Sequence, residues 1–152
     1  MAIRKVVAPL IIVLAVCWAA HGEISASLVE RELLASVNQA RRAHGLAPLR
    51  WNEALAIAAR RHAEVMAERG SAQHGFEGEP GLPARVKRAG VSFHWLSENV
   101  AQGASPQFIH VQFMKSASHR ANILDRNMDS IGVGVVERHR EWFVVEDFSQ
   151  AR

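Results

Sequence analysis

The strand pair near the C-terminal end constrains this chain's fold more than any other stretch. Ile131–Val136 and Trp142–Phe148 are rich in β-branched and aromatic residues, and only the charged segment Glu137–Glu141 separates them. Runs of that composition at that distance form a hairpin. Gly132 and Gly134 alternate with Ile131, Val133 and Val135. Successive side chains point to opposite sheet faces, so one face of this strand is bare and open to close approach by another backbone or side chain.

The chain before the hairpin reads as mainly helical. Ser27-Leu-Val-Glu30 has the form of a capping box, and Val29, Leu33, Val37 and Ala40 then recur at helical spacing until Gly45 and Pro48 end the helix. Asn52 is positioned to cap a second helix running to about Arg69, before Gly70, with Leu55, Ala59, His62 and Met66 on its apolar face. His62 thus falls on a core stripe, which favours a hydrogen-bonded structural histidine over a ligand. Pro83–Gly90 reads as a short helix with a glycine stop, and an irregular strand is expected near Glu98–Gln102. Ser105-Pro106 starts a further helix carrying Phe108, Ile109, Val111, Phe113 and Met114 to about Ser116. Helices first and a strand pair last imply an α+β fold in layers.

At 152 residues there is room for one domain, and a composition 49% hydrophobic and 22% charged is that of a globular chain. Arg4 and Lys5 precede an almost wholly apolar run, Val6–Ala20, and Ala20-His21-Gly22 supplies small residues where a signal peptidase reads. Residues 1–22 are therefore expected to be a signal peptide and 23–152 a single domain with its core at 28–148. The alternatives are an uncleaved N-terminal anchor and lipidation at Cys17, the latter disfavoured by the bulky Val16. The apolar run is too short, and too interrupted by Pro9, for a stable membrane span. Cleavage removes the only cysteine, leaving a cysteine-free domain large enough to fold without disulfides. It also lowers the formal charge of +3 by two, so the basic pI carries no argument for nucleic acid. The location implied is secreted, periplasmic or extracellular.

Three residues stand out chemically: His74 in S-A-Q-H-G-F, Glu98 in S-E-N and His119 in S-A-S-H-R-A-N-I-L. Histidine and glutamate on separate elements can converge as acid/base partners or as metal ligands. Spacing alone is a weak signal here, because none of the three shares a helix turn. The order of short motifs is more specific: G-L-x-P-L-x-W-N (Gly45–Asn52), Q-H-G-F, S-E-N-V-A-x-G (Ser97–Gly103), S-x-S-H-R-A-N-I-L (Ser116–Leu124), I-G-V-G-V (Ile131–Val135) and E-D-F (Glu146–Phe148). In this the chain resembles the CAP superfamily (cysteine-rich secretory proteins, antigen 5, pathogenesis-related proteins), and within it the short bacterial SCP-like branch, from Leu28 to Phe148.

The resemblance implies an α-β-α sandwich, a central antiparallel sheet flanked by helices, with a cleft lined in many members by two histidines and two acids. The first histidine falls on His74, the first acid on Glu98 and the second histidine on His119. The second acid's position is occupied by Ser116, and Phe113 stands where bacterial relatives usually have Trp. His74, Glu98 and His119 could hold a divalent metal such as zinc with one position open. They could equally form a metal-free polar cluster completed by Asn99, Ser116, Ser118 and Asn122. With Glu98 as a ligand, no carboxylate is spare to act as general base, which weakens a metallohydrolase reading. No G-x-S-x-G elbow or glycine-rich phosphate loop is present. The expected function is a secreted binding module for a small apolar ligand or a cell-surface component. The rivals are a peptidase or envelope-polymer hydrolase using His74, Glu98 and His119, and a purely structural interaction domain.

Overall fold

The computed structural model describes residues 14–151, with side chains from Leu28 onward. The expected leader, residues 1–22, lies outside the residues whose side chains are described. The elements run α1 (Leu14–Ala43), β1 (Arg50–Trp51), α2 (Glu53–Arg69), α3 (Leu82–Arg88), β2 (Phe93–Gly103), α4 (Pro106–Lys115), α5 (Ala117–Ile123), β3 (Ser130–Arg138) and β4 (Glu141–Ala151). The four strands form one sheet in the order β1-β3-β4-β2. β2, β4 and β3 pair antiparallel, and only the two-residue edge strand β1 runs parallel to its neighbour β3.

The bare face of β3 is where α2 lies. A Cβ added at Gly132 would come within 2.1 Å of the Ala56 nitrogen, and one at Gly134 within 2.3 Å of the Ala59 carbonyl carbon. The small side chains of α2 allow this approach, and Ala59, Ala63 and Met66 pack with Val100, Phe143 and Val145 on the same sheet face. The alternate residues of β3, Ile131, Val133 and Val135, point the other way and join Leu33 and Val37 of α1, Ile109 and Phe113 of α4 and Ile123 of α5. The sheet is thus buried between two helical layers, as expected for an α-β-α sandwich.

Asn52 caps α2 as expected, its side chain accepting from the Leu55 amide, and Gly70 closes it in the left-handed conformation at φ 64°. Ser105 caps α4 in the same manner, accepting from the Phe108 amide. Several expectations need correction. No capping box forms at Ser27–Glu30, because α1 runs continuously through Ser27. Glu30 is instead buried and receives the Arg60 guanidinium, Nε at 2.7 Å and a terminal nitrogen at 2.6 Å, which ties α1 to α2. The strand expected near Glu98–Gln102 extends over eleven residues because β4 offers it a partner along its whole length. α5, a seven-residue helix around His119, was not foreseen. The hairpin turns tightly at His139 and Arg140, both in left-handed conformation (φ 54° and 65°), rather than over all of Glu137–Glu141. Among the described residues no helix is long and apolar enough to cross a membrane.

Candidate functional site

β2 is an edge strand, and the candidate site gathers around it. Alternation sends Glu98 to the α2 face and Asn99 to the opposite face. In register with them, Asp147 of β4 lies beside Glu98, and Glu146 beside Asn99. Four polar groups are therefore buried where β2 meets β4, Glu98 and Asp147 on one face and Asn99 and Glu146 on the other.

On the α2 face, Glu98 holds a carboxylate that is 3% exposed. Its Oε1 lies 2.9 Å from His74 Nδ1. Its Oε2 accepts from a terminal nitrogen of Arg85 on α3. Arg85 also donates to the carbonyls of His74 and Pro80, both at 3.2 Å, and so fixes the loop that carries His74. His62 is fully buried behind this pair, Nδ1 against Glu79 Oε1 at 2.6 Å and Nε2 against the Gln73 carbonyl at 2.8 Å. That is the structural role expected of it. Asp147 completes the cluster, and neither of its carboxyl oxygens has a hydrogen-bond partner among the described residues. Burial holds the Asp147 carboxyl well above its ordinary range, Glu98's negative charge raises it further, and Arg85 opposes both. The shift favours the neutral form of Asp147 beside the Glu98 carboxylate.

On the other face, Asn99 Nδ2 donates to Glu146 Oε2 at 3.0 Å and to the His119 carbonyl at 3.2 Å. Asn122 of α5 donates to Asn99 Oδ1 at 2.9 Å and to the Glu98 carbonyl at 3.3 Å. These bonds moor α5 to β2 and set the position of His119. Burial raises the Glu146 carboxyl to about 7, with the Asn99 hydrogen bond acting against that rise. The His119 ring packs on Phe113 with centroids 4.9 Å apart. Its pKa is lowered, first by burial and second by the charge of His74.

The chain's relationships can be weighed against this geometry. Residues 34–148 match the family described as cysteine-rich secretory protein family, CAP. The chain belongs to the CAP family. It is 32% identical over 119 residues to the Bacillus subtilis (strain 168) protein YkwD, a match that takes in 78% of this chain and 46% of YkwD. Among solved structures, an extracellular SCP-domain protein from Bacillus anthracis str. Ames superposes with a TM-score of 0.76 at 24% identity, covering 82% of this chain and 41% of that one. An outer surface protein from Borrelia burgdorferi reaches a TM-score of 0.75 at 19% identity, covering 82% of this chain and 93% of that one. This CAP chain thus spans less than half the length of YkwD and of the Bacillus anthracis protein.

Set against the CAP pattern, the expected site is only partly assembled. His74 and Glu98 are in contact, and His119 lies near enough to His74 for its charge to act there. Asn99 does not line the cleft: it is fully buried beneath the strand and serves as a tie. Ser116, at the junction of α4 and α5, shares a hydrogen bond of 3.2 Å with Ser118. Among the described residues no three His, Cys, Asp or Glu are grouped as a metal site requires. Arg85 bears on the same question. Both Glu98 oxygens are engaged, one by a fixed cation, and a second cation placed there would meet that charge at close range in a poorly screened interior.

Sequence reading missed Arg85, Glu79, Glu146 and Asp147. Arg85 falls within Pro83–Gly90, which reads only as a short helix. Two consecutive acids inside the apolar run Trp142–Phe148 were the available signal: a strand buried on both faces sends one carboxyl to each.

Proposed function

We propose that this chain is an exported bacterial CAP domain acting as a binding module, with His74 and His119 presenting ligand contacts above a metal-free ion-pair network. The observation that carries this reading is the double engagement of Glu98 by Arg85 and His74. A metal site would need that carboxylate as a ligand, and a hydrolase would need it as a free base or acid; here it is committed to a guanidinium. What stays available at the surface is His74, whose side chain is 64% exposed, and the half-buried His119. Two imidazoles held by fixed partners suit hydrogen bonding to a polar group of a small ligand or a cell-surface component. Export is supported by the basic and apolar N-terminal run, and by relatives that are extracellular or outer-surface proteins.

The test has two arms. Zinc titrated calorimetrically into the protein is expected to give no saturable heat that His74→Ala or His119→Ala removes; tight, histidine-dependent binding would overturn the metal-free reading. Incubated with isolated bacterial cell envelope, the protein is expected to sediment with it, and His74→Ala to reduce the bound fraction several-fold. Release of soluble envelope fragments that Glu98→Gln abolishes would replace the binding module with a hydrolase.

A further inference from the structure

Asn99 is a fully buried hub between the sheet and α5. Its Nδ2 donates both to Glu146 Oε2 at 3.0 Å and to the His119 carbonyl at 3.2 Å, and its Oδ1 accepts from Asn122 at 2.9 Å. One amide group thus ties the helix that carries His119 to a carboxyl on β4. Glu146 is itself 0% exposed, and its Oε1 has no partner among the described residues. A neutral carboxyl tolerates that position. An ionised one with a single donor does not, because a buried charge needs further hydrogen bonds or a counter-charge.

The surroundings supply no counter-charge. β3 sets Val133 in register beside Glu146. α1 adds Leu33 and Val37 to this face; its Glu30 is engaged by Arg60, and its Arg41 by the carbonyls of Ala47, Ile123, Asp125 and Met128. α4 and α5 add Ile109, Phe113 and Ile123. Their titratable groups on the inner side are His110 and His119, while Lys115 and Arg120 are exposed. Burial lowers the pKa of both histidines from the ordinary 6.5, so both become neutral before Glu146, raised by burial to about 7, ionises. Arg85, Glu98 and Asp147 lie on the opposite face of the sheet. The donor at hand is the Asn99 amide. Turned fully onto the carboxylate, it gives both hydrogens to Glu146 and releases the His119 carbonyl.

We propose that Glu146 is a proton switch for the cleft. Neutral, it shares Asn99 with the His119 carbonyl and keeps α5 seated on β2. Once its proton has passed to solvent, Asn99 turns to the carboxylate and the His119 end of α5 lifts. The other end stays moored, by Asn122 on the Glu98 carbonyl and by Arg41 on the Ile123 carbonyl. The direction follows from the raised pKa: α5 is seated below about pH 7 and loosened above it. As regulation of ligand binding, this rests on the reading of His119 as a ligand contact.

NMR of the full chain between about pH 6 and about pH 8 tests the switch without any ligand. The Glu146 carboxyl carbon and the amides of residues 117–120 are expected to titrate with one midpoint, a comparison that needs no variant. Cross-relaxation between the His119 and Phe113 rings, whose centroids lie 4.9 Å apart, is expected to weaken about twofold or more across that midpoint. Glu146→Gln keeps an acceptor for Asn99 and removes the proton, so its ring contact is expected to stay constant. His110→Gln is expected to leave the step in place. In the envelope sedimentation assay, wild type and Glu146→Gln are expected to bind alike at about pH 6, and the variant several-fold more than wild type at about pH 8. The proposal is overturned if the α5 amides do not follow the Glu146 carbon, or if the ring contact persists above the midpoint. It is equally overturned if the step survives in Glu146→Gln or vanishes in His110→Gln. If neither protein sediments with envelope while the NMR step is present, the binding-module reading fails and the switch stands.

Discussion

Glu98 sits where an unpaired carboxylate would be most costly, and Arg85 and His74 supply its partners from two different segments. Removing one member of such a buried pair typically destabilises by about 3–5 kcal/mol, because the other charge is left uncompensated. The same logic separates the two histidines. His74 is largely exposed and touches Glu98, whereas His119 is shielded by Phe113 and feels His74 as a neighbouring positive charge. His74→Gln removes that second cause, so the pKa of His119 is expected to rise in the variant while the share due to burial stays. A proton-detected NMR titration of the His119 ring reads this directly. An unchanged value would mean that the charge of His74 does not reach His119.

Elements explain why parts of this arrangement could be read from sequence and parts could not. Features set by local chemistry were legible: the Asn52 and Ser105 caps, the glycine stop at Gly70, the bare Gly132 and Gly134 face and the buried stripe that carries His62. Features set by tertiary partners were not. Whether Glu30 caps its own helix or crosses to Arg60, and whether Arg85 faces water or Glu98, depends on which segments pack together, and no local pattern carries that information. The site divides along the same line, since the motifs marked His74, Glu98 and His119 while the groups that decide their chemistry lie on other strands and helices. The legible glycine face is also the easiest to test. Gly132→Ala places a methyl group 2.1 Å from a backbone nitrogen of α2, a contact no rotamer change can relieve. Either the helix shifts off the sheet or the strand bends, and the expected loss is about 3 kcal/mol or more. Urea unfolding of the variant measures it; a loss below about 1 kcal/mol would show that α2 can move aside at little cost.

The whole molecule is a sheet sealed between two helical layers, with the Glu98 and Asp147 carboxyls enclosed on one side and that of Glu146 on the other. The side of Asp147 is buffered by Arg85, but Glu146 faces only Asn99 and has a carboxyl oxygen with no partner among the described residues. In the unfolded chain Glu146 ionises near its ordinary value of 4.5, and in the folded protein burial moves it to about 7. Its contribution to stability is therefore fully present below about pH 4.5, declines as pH rises toward 7, and is lost above the folded value. The separation of the two values corresponds to about 3 kcal/mol. Glu146→Gln keeps an oxygen to accept from Asn99 and removes the titration. The variant is expected to match the wild type in urea at pH 4 and to exceed it by up to about 3 kcal/mol at pH 8, with the gain appearing mainly between those limits. A gain equal at both pH values would assign the effect to packing. A loss at pH 8 would show that the ionised carboxylate has partners that the buried Asn99 alone does not provide.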